Sequence, residues 1–188
     1  MSKRNFLVSC AKSIFALATV VMMSMAFSAC SKDNKDDEPQ LKPNVLTINN
    51  REVTVKEVEY TKNDKGFYEI RVFFDADKME ELRFKLKEKV HFNKLIDLSK
   101  KEEASKYWQV RYDDPNGDTK IKTLCLPDEE YVEGEERYPV FQKGTLFVVK
   151  KSDNSIHIKL EGKVDGTDAG AVYNFTFLYE GDMRKVTD

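Results

Sequence analysis

The 188-residue chain predicts an all-β fold, an antiparallel β-sandwich or partly closed β-barrel of roughly eight to ten strands. Three observations carry that expectation. Apolar and polar residues alternate with period two through most of the chain from Val45 onward. Clusters of Asn, Asp and Gly punctuate the alternating runs at hairpin spacing. The composition, 40% hydrophobic and 34% charged, is that of a folded soluble domain.

The runs can be taken in order. Tyr68, Ile70, Val72 and Phe74 define one face of a strand, with Glu69 and Arg71 on the other. Residues 81–92 carry two periods. Met79, Leu82, Leu86 and Val90 recur at helical spacing, while Leu82, Phe84 and Leu86 alternate with Arg83, Lys85 and Lys87. The neighbouring runs are all strands, so 81–92 reads as a strand. Lys100 to Ser105 reads as a short helical turn. Trp108, Val110 and Tyr112 alternate with Gln109 and Arg111. Thr145-Leu146-Phe147-Val148-Val149 is apolar on both faces and predicts a central strand. Ile156, Ile158 and Leu160, then Tyr173, Phe175, Phe177 and Tyr179, complete the pattern. Turns fall at Asn63–Gly66, Asp113–Asp118, Ser152–Ser155 and Asp165–Asp168, and such short loops join antiparallel neighbours.

The N-terminus has a different logic. Lys3, Arg4 and Lys12 precede an uncharged stretch from Ser13 to Ala29, shorter than the ~20 apolar residues of a spanning helix. Phe27-Ser28-Ala29-Cys30 closes it and resembles a bacterial lipobox, with Phe27 where Leu is usual. That resemblance implies acylation of the Cys30 thiol. Acyl chains contribute roughly 0.8 kcal/mol per buried CH₂, enough in combination for durable anchoring. Ser31 to Pro39 holds no large apolar residue and reads as a solvated tether. Within it, Lys35-Asp36-Asp37 resembles the surface-export signal of Bacteroidetes lipoproteins. The expected organisation is a signal peptide over 1–29, a lipidated cysteine and acidic tether over 30–44, and a β-domain over 45–188.

Further phrases resemble Bacteroidetes lipoproteins: Ile96-Asp97-Leu98-Ser99-Lys100-Lys101-Glu102, Tyr107-Trp108, Tyr138 to Leu146, and Tyr179-Glu180-Gly181-Asp182-Met183. The resemblance implies an all-β lipoprotein on the outer membrane, facing the cell exterior. It implies no particular activity.

Chemistry-bearing residues are sparse. Cys125 sits in Leu124-Cys125-Leu126, an apolar setting that does not activate a thiol. His91 and His157 are the two histidines and the weak candidates for metal or haem ligation, which requires that they converge. The acidic runs Asp75–Asp77, Asp113–Asp114 and Asp128–Glu130 fit no EF-hand spacing and read as hairpin tips. Among the aromatics, Tyr131, in an acidic loop, and Trp108 are the ligand-binding candidates, although alternation puts Trp108 and Tyr112 on one face, most economically the core. The 31 basic and 33 acidic residues, net −2, give no signature for nucleic acid. No catalytic motif appears and no cofactor is implied. The expectation is a lipid-anchored, non-enzymatic surface domain. Its partners are the membrane, through the anchor, and a protein or glycan. The alternatives are a glycan-binding module of a nutrient-uptake system, a haem-scavenging lipoprotein, and a pilus or adhesin subunit.

Overall fold

A computed structural model describes residues 41–125 and 139–187. Their twelve strands form two six-stranded sheets that face each other, so the sandwich is the outcome and neither sheet closes into a barrel. One sheet comprises β1 (Val45–Ile48), β2 (Arg51–Thr54), β6 (Leu95–Asp97), β9 (Lys143–Ser152), β10 (Ser155–Asp165) and β11 (Val172–Asp182). Its order is β2-β1-β11-β10-β9-β6. The other comprises β3 (Glu57–Lys62), β4 (Phe67–Phe73), β5 (Glu81–Lys87), β7 (Gln109–Asp113), β8 (Thr119–Leu124) and β12 (Arg184–Lys185). Its order is β12-β3-β4-β5-β7-β8. All pairings are antiparallel except the two residues of β12, which lie parallel to β3.

The strands of one sheet cross those of the other. Along β11, Phe175 meets Tyr112 of β7 edge-on at 5.9 Å, and Phe177 stacks near Phe84 of β5 at 6.3 Å. Two residues past β11 the chain is already paired with β3. β11 therefore passes over β7 and β5, and the chain beyond it joins the other sheet at β3 through β12, so the corner is a chain that changes sheets. The alternating residues interdigitate between the layers: Tyr68, Ile70 and Val72 from β4, Leu82, Phe84 and Leu86 from β5, and Ile156, Ile158 and Leu160 from β10 are all buried. Each large apolar side chain so buried contributes roughly 1.5–3 kcal/mol.

Three local expectations are corrected. The strand read over 81–92 ends at Lys87, and Glu88–His91 is a single helical turn, α1. The His91 ring decides this: its Nδ1 accepts the Lys87 N–H at 2.8 Å, and its Nε2 lies 2.9 Å from the Lys106 carbonyl. Buried side-chain bonding thus folds the chain back on itself where alternation would have extended it. The Thr145–Val149 stretch is paired on both sides within β9, but only Leu146 and Val148 are buried. Phe147 and Val149 lie on the outer face, where Phe147 meets the His157 ring edge-on at 6.4 Å. The helical turn expected over Lys100–Ser105 occurs slightly later, as a 3₁₀ turn over Ala104–Lys106.

One hairpin carried a signal that the alternation left unread. Asn49 and Asn50, joining β1 to β2, both have positive φ, 46° and 68°, as a two-residue type I′ turn requires.

Candidate functional site

An open cleft of about 690 Å³ lies where the chain passes between the sheets. Its walls come from the entry to β1, the β2–β3 junction, the β9–β10 hairpin and the β11–β12 corner. Asn44 takes a left-handed conformation, φ 60°, that lets its N–H donate to Leu178 O at 2.7 Å while its Oδ1 accepts the Glu180 N–H at 3.1 Å. The Val55 N–H donates to Asn44 O at 2.9 Å, fixing the β2–β3 junction against the same residue. Across the cleft, the Tyr179 hydroxyl donates to Asp182 O at 2.5 Å and the Met183 N–H to Asn154 O at 2.7 Å. These bonds hold the corner at which β11 leaves one sheet and β12 joins the other.

The cleft has an apolar floor and a charged rim. Val58, Tyr179 and Met183 are buried beneath it. On one rim, Glu57 takes ion pairs at 2.9 Å from both Lys78 and Arg184, and hydrogen bonds from them, Lys78 foremost, hold its carboxyl below the ordinary value. The exposed side chains of Lys56, Asn154 and Asp182 also line the cleft, and none of the three has a hydrogen-bond or ion-pair partner among the described residues. An ammonium, an amide and a carboxylate therefore converge above apolar surface, the pattern of a site that orients a small polar ligand.

The residues singled out in the sequence are not brought together. Trp108 is fully buried, and its backbone N–H donates to Cys125 Sγ at 3.0 Å. Its ring is core, as its alternation with Val110 and Tyr112 indicates, and it offers no surface platform. Cys125 is buried as well, and burial pushes its thiol up to about 11. His91 is buried with both ring nitrogens engaged by backbone groups, so it has no lone pair to give a metal or haem iron. Burial also moves its pKa below the usual histidine value. His157 lies on the outer face of β10, 3.5 Å from Glu180. Among the described residues no group of three or more His, Cys, Asp or Glu is gathered as a metal site requires. Cys30, Lys35, Asp36, Asp37 and Tyr131 lie outside the described residues.

A second polar cluster spans the layers elsewhere. Arg51 of β2 pairs with the buried Glu80 and donates to the Tyr112 hydroxyl at 2.5 Å, and Tyr112 donates to Glu80 Oε1 at 2.7 Å. Desolvation, reinforced by the bond to Glu80, raises the Tyr112 phenol well above its ordinary value. Its members satisfy one another, as a buried network must if it is to stabilise.

Sequence reasoning did not single out Lys56 or Asn154 as site residues, and Asp182 entered only within a resembling phrase. Asn154 reads as a turn residue and Lys56 as one lysine among many; nothing in their spacing signals that a sheet-switching corner will bring them to one cleft. No protein family, curated protein or solved structure matches the chain.

Proposed function

We propose that this chain is a lipid-anchored cell-surface protein whose β-sandwich binds a partner without transforming it, and that the cleft at the β11–β12 corner is where the partner is held. The observation that carries the binding role is the convergence of the Lys56, Asn154 and Asp182 side chains, none of them paired among the described residues, over Val58, Tyr179 and Met183. Opposite charges set apart over an apolar floor orient a ligand that carries both a donor and an acceptor edge. The anchor and the outward placement are supported by the sequence alone: the apolar leader, Cys30 after Ser28-Ala29, and the acidic tether that follows.

The test is a thermal-shift screen of the full chain, purified in a mild non-ionic detergent, against small saccharides, amino acids and dipeptides. At least one class should raise the melting temperature in a saturable way. Lys56→Met and Asp182→Asn, both at exposed positions, should each weaken that shift at unchanged unliganded stability. Absence of a shift with every class, or a shift that both variants retain in full, would overturn the cleft as the binding site.

A further inference from the structure

The outward face of the second sheet bears an arrangement that the cleft does not explain. Register places Arg71 of β4 opposite Arg83 of β5, Arg83 opposite Arg111 of β7, and Arg111 opposite Lys122 of β8. Four cations thus stand in one line across four adjacent strands. Like charges directly opposite each other on neighbouring strands are destabilising, and alternating signs would solvate the same face at lower cost.

Carboxylates brace the three arginines of this line: Glu69, 33% exposed, lies 3.6 Å from Arg83 on the same face, and two others lie deeper. The Glu81 side chain is 3% exposed and Asp113 7%, whereas Arg71, Arg83 and Arg111 remain 38%, 26% and 30% exposed. Glu81 and Asp113 thus lie beneath the guanidiniums, while Glu69 stands beside that of Arg83. Glu81 accepts from Arg71 Nε at 2.9 Å and from Nη2 at 2.7 Å, and it also pairs with Arg83. Asp113 accepts from Arg111 Nε at 2.9 and 3.0 Å. These bonds brace Arg71 by its Nε–Nη2 edge and Arg111 through Nε alone, while Arg83 reaches Glu69 and Glu81 through its two Nη atoms. They leave Arg111 Nη1 and Nη2 without a hydrogen-bond partner among the described residues, and Arg83 Nε is buried without one. A planar fork held from behind is suited to bidentate capture of an oxyanion, because little side-chain freedom remains to be lost.

We infer that this row is a docking surface for a linear anionic polysaccharide, one bearing sulfate or carboxylate groups along its length. Its three arginines lie mid-sheet, on β4, β5 and β7, where there is no free strand edge for a peptide to extend, and only Lys122 stands on the outermost strand, β8. Strands repeat every ~4.8 Å, close to the advance of one sugar ring along an extended chain, so successive anions can meet successive strands. The net charge of −2 supplies no long-range attraction for any polyanion, so attraction is confined to the row.

The experiment measures binding of the full chain, in non-ionic detergent, to dextran sulfate, with neutral dextran, polyglutamate and duplex DNA of similar length as comparators. Dextran sulfate should bind, and its affinity should fall as salt rises; neutral dextran should not bind. Arg111→Gln with Lys122→Gln should lower that affinity at least tenfold, while Lys159→Gln with Lys163→Gln on the opposite sheet leaves it unchanged. Should the first pair disturb folding, Arg111→Lys keeps the charge beside Asp113, removes the fork, and should still cost several-fold. Failure to bind dextran sulfate at low salt, equal losses from both pairs, an unaffected Arg111→Lys where the pair does not fold, or tighter binding of polyglutamate or DNA would each overturn the inference.

Discussion

The ring of Phe141 occupies the space that a side chain on Gly162 would need. A Cβ built on Gly162 falls 2.5 Å from Phe141 Cδ1 and 2.8 Å from Cε1. Gly144, directly opposite Gly162 on β9, is covered by the same ring, with a built Cβ 3.0 Å from Phe141 Cδ1. The paired glycines open a gap on the inner face, and one aromatic fills it. Gly162→Ala should therefore destabilise the domain by about 1–3 kcal/mol, read as a lowered denaturant midpoint at unchanged slope. Phe141→Ala should cost about 3–5 kcal/mol. The double variant should lose clearly less than the sum, because the clash and the cavity share one place. Strict additivity would contradict this packing.

The bond between Tyr112 and Glu80 ties β7 to the loop before β5 and, through Arg51, to the opposite sheet. Tyr112→Phe leaves a buried carboxylate short of a donor and should cost about 1–3 kcal/mol. The folded state holds the phenol proton more tightly than the unfolded chain, whose value is the ordinary 10.0. This contribution is thus complete below pH 10 and is lost as pH rises beyond it. Chemical denaturation at rising alkaline pH should show wild type losing stability faster than Tyr112→Phe.

His91 acts at the other end of the scale. Its pKa lies below the ordinary 6.5 because burial disfavours the imidazolium, so the unfolded chain takes up a proton that the folded one refuses. Stability from this source is present above pH 6.5 and declines as pH falls towards the folded value. Between about pH 7 and about pH 5, wild type should lose stability that His91→Gln does not lose, since the variant has no group to protonate there. Parallel pH profiles for the two proteins would remove His91 from this role.

The Cys125 thiol, buried against the Trp108 and Lys106 backbone with its pKa at about 11, should resist alkylation in the folded chain at neutral pH. Peptide mapping after iodoacetamide treatment should find Cys125 unmodified until denaturant is added. Rapid modification of the native protein would mean that β7 and β8 open readily at this point.

The proposed anchoring and the proposed display can be tested separately. Cys30→Ala should abolish incorporation of labelled fatty acid. Replacing Lys35, Asp36 and Asp37 together by Ala should leave the protein acylated. Protease added to intact cells should then cleave wild type and spare the triple variant. Equal cleavage of both would reduce the run to a linker.

Most strands could be read from the sequence because each is a local event: alternation at Tyr68–Val72 or Ile156–Leu160 states which face is buried before any partner is known. The turn residues likewise declared most of the hairpins. Where two local signals competed, as over 81–92, the sequence could not arbitrate, because the deciding bonds run from His91 to backbone groups on either side of it, one fifteen residues away. The outer placement of Phe147 was hidden for the same reason: an apolar side chain says that it prefers cover, not whether the fold has a layer left to supply it. The passage of β11 over β7 and β5, the cleft at the β11–β12 corner and the line from Arg71 to Lys122 belong wholly to the tertiary structure. Each depends on register between strands distant in the chain, and register is fixed by packing of the buried faces and by the turns, so residues on the outer faces become neighbours only once the core has chosen it.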